Sequence, residues 1–153
     1  MNLQSYLDEQ GVNYRFSRHE MAYTAQELAA SEHVSGKRVI KPVVVIADGK
    51  LVMCALPACY RVDIEELKSQ LMAEEVTLAD EQLVTSLFAD CEPGAAPPIG
   101  RLYGMVTLID ESLSKGSHVL FQAGTHEDAV EMTLAAYRRV AQPEMAHFGR
   151  PIA

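Results

Sequence analysis

The sequence predicts one domain of the α/β or α+β class, organised around a mixed β-sheet. A chain of 153 residues fits a single ordinary domain, which we expect to span residues 1–153. Two apolar runs rich in β-branched residues, 39–47 and 50–56, flank Asp48-Gly49, a pair that is typical of hairpin turns. Helical patterns precede and follow this hairpin, so strands and helices are mixed along the chain.

The individual elements are predicted from capping residues, apolar periodicity and chain breakers. Gly11 ends a first amphipathic helix. Thr24 opens a capping box that begins a second helix, which ends near His33, and Asp63 opens another capping box and helix. Because both strands of the hairpin are apolar on two faces, we expect them in the centre of the sheet. The other predicted elements are strands at 12–16, 76–78, 105–109 and 119–123, helices at 79–88 and 127–140, and a loop at 89–100.

The composition excludes several classes of protein. Hydrophobic residues make up 48% of the chain and charged residues 22%, which is typical of a globular protein. No apolar run approaches the roughly 18 residues that a membrane helix needs, and the N-terminus lacks the pattern of a signal peptide. We therefore expect a cytoplasmic protein with no membrane partner. The net charge of −8 predicts weak binding to nucleic acid, because phosphate contacts normally dominate that affinity.

Several common catalytic and metal-binding motifs are absent from the sequence. Cys54, Cys59 and Cys91 are odd in number and lack CxxC spacing, which argues against a disulfide framework or a zinc site. We expect them to be small buried hydrophobic residues. The histidines have no metal-ligand spacing, and no GxSxG, Walker or GxGxxG motif occurs. No metal or cofactor is therefore expected.

Lys41 is an unusual residue because every near neighbour in its strand is apolar. Strand alternation places it on the same face as Val43 and Val45. If that face is buried, the ammonium needs a partner or an opening to water, which suits an anchor for a phosphate or carboxylate. The alternative is an edge lysine that prevents aggregation, and the adjacent Pro42 is compatible with a strand edge or start.

Residues 94–100 form a second unusual segment, with two glycines and two prolines in seven positions. Pro97 and Pro98 have no N–H, but Ala95, Ala96, Ile99 and Gly100 keep theirs. An irregular loop of this kind can aim several N–H donors at one point, as an oxyanion hole requires. The alternative is a rigid surface turn.

Two further segments contain candidate binding residues. Gly124-Thr125-His126 precedes the predicted last helix, and a helix N-terminus suits an anion. Thr125 can equally be a simple N-cap with an exposed His126 beside it. His19 and Tyr23 precede the helix that Thr24 begins, and their alternative roles are a surface histidine and a packing tyrosine.

Taken in order along the chain, these features resemble the YbaK/ProX family of aminoacyl-tRNA editing domains. The resemblance covers residues 20–140, and the order and spacing of the motifs carry it rather than any single one. The matching features are the segment 19–29, Lys41 in its apolar strand, the hairpin partner ending at Pro57, the strand-to-helix step at 61–64, the Gly-x-x-x-Pro loop at 94–98, Asp110 at a strand end and the turn at Gly124.

The resemblance implies a central mixed sheet, partly closed like a barrel and flanked by helices. It implies a free-standing trans-editing hydrolase whose substrate is the 3′ end of a tRNA that carries the wrong amino acid. The pocket would lie between the lysine strand and the Gly-x-x-x-Pro loop. An aminoacyl-tRNA synthetase is a possible partner, and no oligomeric state is implied.

The resemblance also implies roles for individual residues. Lys41 would pair with a phosphate of the terminal nucleotide, the N–H groups around Gly94, Ala95 and Ala96 would stabilise the oxyanion, and His126 could carry a proton. No side chain is an evident nucleophile, so the substrate would assist through a ribose hydroxyl or its own thiol. The residues expected to contact the substrate are His19, Tyr23, Val43, Met53, Pro97, Pro98, Gly100, Gly124 and Thr125.

The sequence also departs from the family pattern. The loop reads Ala-Ala-Pro-Pro where some relatives have Ser before the conserved Pro, and Lys41 is followed by Pro-Val rather than by the Asn-Leu-Phe of the family branch that clears alanine. Specificity for alanine therefore does not carry over. Two alternatives stay open: a module that binds an aminoacyl, nucleotide or tRNA-end ligand without hydrolysis, and a degenerate member that serves only as an interaction domain.

Overall fold

The computed structural model describes residues 2–18, 25–31 and 35–152. The helices in these ranges are α1 (Leu3–Glu9), α2 (Ala25–Ser31), α3 (Ile64–Leu71), α4 (Glu81–Leu87) and α5 (Leu134–Ala141), with 3-10 turns at Gly100–Tyr103 and Glu111–Lys115. The strands are β1 (Arg15–Arg18), β2 (Ile40–Ala47), β3 (Lys50–Pro57), β4 (Tyr60–Val62), β5 (Val76–Leu78), β6 (Val106–Asp110), β7 (His118–Gln122), β8 (Asp128–Thr133), β9 (Glu144–Ala146) and β10 (Gly149–Pro151).

The main sheet has five strands in the order β5-β2-β3-β6-β9. Strand β2 runs antiparallel to β3 and β5, whereas β3 with β6 and β6 with β9 are parallel, so the sheet is mixed as predicted. A second, antiparallel sheet has the order β1-β8-β7, and β10 pairs with β4. A parallel bridge from Val39 to Leu120 links the start of β2 to β7. The predicted mixed fold with flanking helices is confirmed.

The β2–β3 hairpin forms at the predicted turn. Asp48 and Gly49 both have positive φ, 48° and 82°, as a type I′ turn requires, and Ala47 lies opposite Lys50. The hairpin occupies the second and third places of the five-stranded sheet, which confirms the predicted central position. Asp63 also caps α3 as predicted, since its side chain accepts a hydrogen bond from the Glu66 N–H.

The prediction of a last helix over residues 127–140 is wrong for the first half of that range. Asp128–Thr133 forms strand β8, which pairs with β1 on one side and β7 on the other. Helix α5 begins only at Leu134, where Thr133 caps it through the Ala136 N–H. Gly124-Thr125-His126 is therefore the turn of the β7–β8 hairpin and not a helix N-terminus.

A buried cluster between the two sheets, α1 and α5 forms the largest part of the core. Its fully buried members include Leu7, Ile109, Phe121 and Tyr137. A second cluster packs α3 against the opposite face of the main sheet through Leu56 and Leu67. Within the described ranges, no helix is long and apolar enough to cross a membrane.

Candidate functional site

A cavity of about 580 Å³ opens beside the first half of β2. It exists because β5 pairs with β2 only over Val45–Ala47, which leaves the preceding residues without a partner strand on that side. Helix α4 and the loop that follows it cover the gap. The lining residues are Ala25, Ile40, Lys41, Pro42, Val43, Val44, Leu78, Ala79, Glu81, Val84, Thr85, Phe88, Cys91, Glu92, Pro93, Gly94, Ala96 and Gln122.

Pro42 fits this unpaired stretch of strand. The two-residue turn makes Ala47 and Lys50 a hydrogen-bonded pair, and such pairs alternate along an antiparallel ladder. The backbone polar groups of Pro42 and Val44 therefore point away from β3. Consistent with this, the Val44 carbonyl accepts a bond from the Ala79 N–H at 3.0 Å. Proline has no N–H to leave unsatisfied at its position.

Lys41 is a half-buried cation on the cavity wall. Its Nζ donates a hydrogen bond to the Ala58 carbonyl oxygen at 3.2 Å. Burial lowers the pKa of Lys41, and the nearby Cys59 acts in the opposite direction. The ammonium is thus partly desolvated, and among the described residues it has one acceptor for its three hydrogens, so donors remain for an anion that enters the cavity.

The loop after α4 contributes two backbone donors to the cavity. Gly94 adopts φ +83°, and it and Ala96 line the cavity. Among the described residues, neither of their N–H groups has an acceptor. The other predicted donors are engaged: the Ala95, Ile99 and Gly100 N–H groups bind the Glu92 carbonyl, the Pro97 carbonyl and Thr107 Oγ1 respectively.

The structure brings this loop together with the predicted turn at 124–126. The Gly124 N–H donates to the Ala95 carbonyl at 2.8 Å, and the Glu92 N–H donates to the Gly124 carbonyl at 2.8 Å. The His126 N–H donates to Glu92 Oε1 at 2.6 Å. Thr125 stays within its own turn, where its hydroxyl donates to Asp128 Oδ2 at 2.8 Å. These hydrogen bonds hold the loop in place from the side that faces away from the cavity lining.

The predicted site residues divide into three groups. Lys41, Val43, Gly94 and Ala96 line the cavity. His19 and Tyr23 lie outside the described residues, as do Thr24 and His33, the predicted ends of α2. The residues that do not line the cavity are Met53, Ala95, Pro97, Pro98, Gly100, Gly124, Thr125 and His126.

Several residues of the third group support the cavity from beneath. Met53 is fully buried and packs in one cluster with Phe88 and Ala96. Gly100 has no room for a side chain, because a Cβ there would lie 2.5 Å from the Met105 carbonyl oxygen. The Pro98 carbonyl accepts a hydrogen bond from the buried Tyr137 hydroxyl at 2.5 Å.

Sequence reasoning missed the part of the wall that α4 and the following residues supply. A helix was predicted at 79–88, but nothing in its local sequence indicates that it closes a cavity over β2. Glu92, inside the predicted loop, and Gln122, near the end of the predicted strand 119–123, were also missed because no motif surrounds them. The contacts between the loop after α4 and the β7–β8 turn bring these two residues to the cavity.

Cys91 lines the cavity but is poorly suited to act as a nucleophile. Its Sγ lies 3.2 Å from the Tyr103 hydroxyl. Burial raises the pKa of the Cys91 thiol, so the thiolate is a minor form at neutral pH. In the described part of the chain, no three His, Cys, Asp or Glu side chains are grouped to hold a metal ion.

The sequence matches a known protein family and resembles several named proteins. The model of the aminoacyl-tRNA editing domain family matches residues 19–140. A proline–tRNA ligase of Dehalococcoides mccartyi is 30% identical over 109 residues, which are 71% of this chain and only 18% of that protein. The multifunctional Ser/Thr-tRNA deacylase ProXp-y of Escherichia coli K12 is 26% identical over 149 residues, covering 94% of this chain and 89% of the relative.

A solved structure shows the same fold. A proposed trans-editing enzyme for prolyl tRNA synthetase superposes with a TM-score of 0.83 at 17% identity, over 97% of this chain and 95% of the other. Since the family match spans most of the chain and includes both the lysine strand and the Gly94 loop, the chain belongs to the aminoacyl-tRNA editing domain family, as its sequence predicts.

Proposed function

We propose that this chain is a free-standing trans-editing hydrolase that removes the amino acid from mischarged tRNA. The observation that carries the proposal is that one cavity contains both a half-buried cation, Lys41, and two backbone donors without acceptors, at Gly94 and Ala96. A cation can bind the terminal phosphate of the tRNA, and free N–H groups can stabilise the ester carbonyl when it becomes an oxyanion. We place the reaction in the cytoplasm, with the tRNA acceptor end as the partner.

In the proposed reaction, water attacks the ester carbonyl carbon. The carbonyl oxygen becomes an oxyanion that the Gly94 and Ala96 N–H groups stabilise, and the loss of one such donor typically costs about 100-fold or more in rate. The ester C–O bond then breaks, the ribose oxygen takes a proton, and free amino acid and uncharged tRNA leave. Because Cys91 is held as a thiol, we assign the activation of water to a ribose hydroxyl of the substrate.

We assign a positioning role, rather than proton transfer, to the turn at 124–126. His126 is 7% exposed and does not line the cavity, but its N–H fixes the Glu92 carboxylate. Gly124 holds the backbone of the loop through Ala95. Both residues therefore act on the donors of Gly94 and Ala96 through the loop.

We propose serine and threonine as the first amino acids to test. The Escherichia coli relative that covers most of this chain is a Ser/Thr-tRNA deacylase. The cavity wall is mainly apolar, with Thr85 and Gln122 as polar side chains that can meet a small hydroxyl group. The similarity to a proline–tRNA ligase makes the tRNA for proline a second candidate and such a ligase a candidate partner.

The test is a deacylation panel with tRNAs charged with alanine, cysteine, serine, threonine or proline. We expect the wild-type chain to hydrolyse at least one of them and Lys41→Ala to lose about 10- to 100-fold in rate, the usual value of a charge-assisted hydrogen bond. Lys37→Ala is the matched control, because Lys37 is an exposed lysine outside the cavity. Equal rates for Lys41→Ala and Lys37→Ala would reject the role of Lys41.

A binding module remains the second candidate function. The raised pKa of the Cys91 thiol favours it, because a cysteine held as a thiol gives no support to covalent catalysis. A binding module would retain charged tRNA in a filter assay without releasing amino acid. Turnover of any substrate in the panel excludes this candidate.

A further inference from the structure

A carboxylate is fixed on the cavity wall close to the two backbone donors. Glu92 lines the cavity and lies two residues before Gly94 in the same loop. Its backbone is held on both sides, because the Glu92 N–H binds the Gly124 carbonyl and the Glu92 carbonyl accepts from the Ala95 N–H at 3.0 Å. The position of this residue is therefore set by the same contacts that set the donors.

The Glu92 side chain is also oriented. Its Oε1 accepts a hydrogen bond from the His126 N–H at 2.6 Å, and among the described residues no cation pairs with the carboxylate. Glu81, the other acidic residue of the lining, has no hydrogen bond or ion pair to a described residue. Glu92 is thus a preorganised negative charge, whereas no contact with a described residue orients the Glu81 side chain.

An aminoacyl ester has a positive group that such a carboxylate can meet. Its α-ammonium nitrogen lies one carbon from the ester carbonyl, a separation of about 2.5 Å. If the Gly94 and Ala96 N–H groups hold the carbonyl oxygen, the ammonium must lie within a few ångströms of the same loop. The only other charged groups of the lining, in the described ranges, are Lys41 and Glu81.

We propose that Glu92 recognises the α-ammonium group of the aminoacyl substrate and so restricts the site to esters with a free α-amino group. This inference rests on the proposed function. Lys41 and Glu92 then give the cavity a positive and a negative contact, which match the phosphate and the ammonium at the two ends of an aminoacylated nucleotide. Peptidyl and N-blocked esters lack the ammonium and are poor substrates.

The experiment compares wild type, Glu92→Gln and Glu81→Gln on matched substrates. The best substrate of the panel is used with its α-amino group free or N-acetylated. Glutamine keeps an oxygen to accept the His126 N–H, so Glu92→Gln removes the charge and preserves the loop. We expect wild type and Glu81→Gln to prefer the free amine by about 10- to 100-fold in kcat/KM, and Glu92→Gln to treat both substrates alike.

A binding measurement separates this inference from the proposed function. The probe is a seryl adenosine in which an amide replaces the ester, with and without an N-acetyl group, titrated by calorimetry. Absence of hydrolysis of every charged tRNA would reject the proposed function, whereas preferential binding of the free-amine probe, lost in Glu92→Gln, would still support the role of Glu92. A wild-type chain that binds neither probe, or a Glu92→Gln variant that keeps the preference, overturns the inference.

Discussion

The backbone N–H of Gly124 lies 2.8 Å from the carbonyl oxygen of Ala95 and donates a hydrogen bond to it. The reverse connection, from the Glu92 N–H to the Gly124 carbonyl, is also 2.8 Å long. These two bonds attach the loop that presents Gly94 and Ala96 to the β7–β8 hairpin turn. The geometry of the proposed oxyanion donors thus depends on a turn that does not itself line the cavity.

Gly124→Ala tests this connection. Gly124 has φ +96°, a conformation that costs other residues about 1–3 kcal/mol, while a Cβ there meets only Cys91 Sγ at an ordinary 3.9 Å. We expect a loss of about 1–2 kcal/mol in the free energy of unfolding and a loss of deacylation rate under conditions where the variant is fully folded. Urea denaturation and single-turnover kinetics measure the two effects.

Gly116→Ala serves as the control for that substitution. Gly116 has φ −82°, which any residue adopts, and a Cβ there would meet the Leu113 carbonyl oxygen at 3.7 Å. Its stability and rate should stay close to wild type. If Gly124→Ala matched Gly116→Ala in both measurements, the turn would have no role in holding the loop.

A second prediction concerns helix α4 and tests whether the substrate binds in the cavity that this helix covers. No residue of α4 is fully buried, and Val84 lines the cavity from this helix. Val84→Phe should fill part of the space with little effect on folding, and it should lower kcat/KM at least about tenfold for threonyl esters, with a smaller loss for alanyl esters. Parallel kinetics on the two substrates measure the difference.

Ser86→Phe is the control on the same helix. Ser86 is exposed and outside the cavity lining, and its hydroxyl donates to the Gln82 carbonyl within its own helix. It should leave both rates within about threefold of wild type, because surface substitutions have small effects. A uniform loss with Ser86→Phe, or no loss with Val84→Phe, would place the substrate elsewhere.

The accuracy of the sequence predictions depended on how local the determining interaction is. The hairpin at Asp48-Gly49 was predicted correctly because positive φ at two adjacent positions is a property of the turn residues themselves. Strand β8 was missed because its segment, Glu-Asp-Ala-Val-Glu-Met, favours a helix locally. Pairing with both β1 and β7 imposes the strand, and neither partner is visible in that segment.

The same distinction applies to the site. Lys41 and Gly94 were identified from their own neighbourhoods, as a charge in an apolar strand and a glycine in a proline-rich loop. Glu92 has no local signal, since its orientation comes from the His126 N–H, 34 residues away. Whether the free N–H groups belong to Ala95 or Ala96 also depends on contacts that only the fold defines.

Asp110, at the end of β6, gives a prediction about pH. Its carboxylate is 1% exposed and accepts hydrogen bonds from the Phe148 N–H at 2.9 Å, the Gly149 N–H at 2.6 Å, and the N–H and hydroxyl of Ser112. Burial alone would raise the pKa of Asp110, but these donors outweigh burial and hold the pKa below its usual range. The charged carboxylate therefore ties the C-terminal segment to the main sheet.

The sign of the pH dependence follows from that depressed pKa. The contribution of Asp110 to stability is complete above the unfolded-state pKa of about 3.9 and is lost as the pH falls through the lower folded-state value. Asp110→Asn places an NH₂ group among donors and should cost about 2 kcal/mol at pH 7, with a shallower loss of stability on acidification. Urea midpoints between pH 7 and 3 measure both effects. Glu9→Gln, at an exposed carboxylate on α1, should follow the wild-type curve, and an Asp110→Asn curve parallel to wild type would show that Asp110 is not the titrating group.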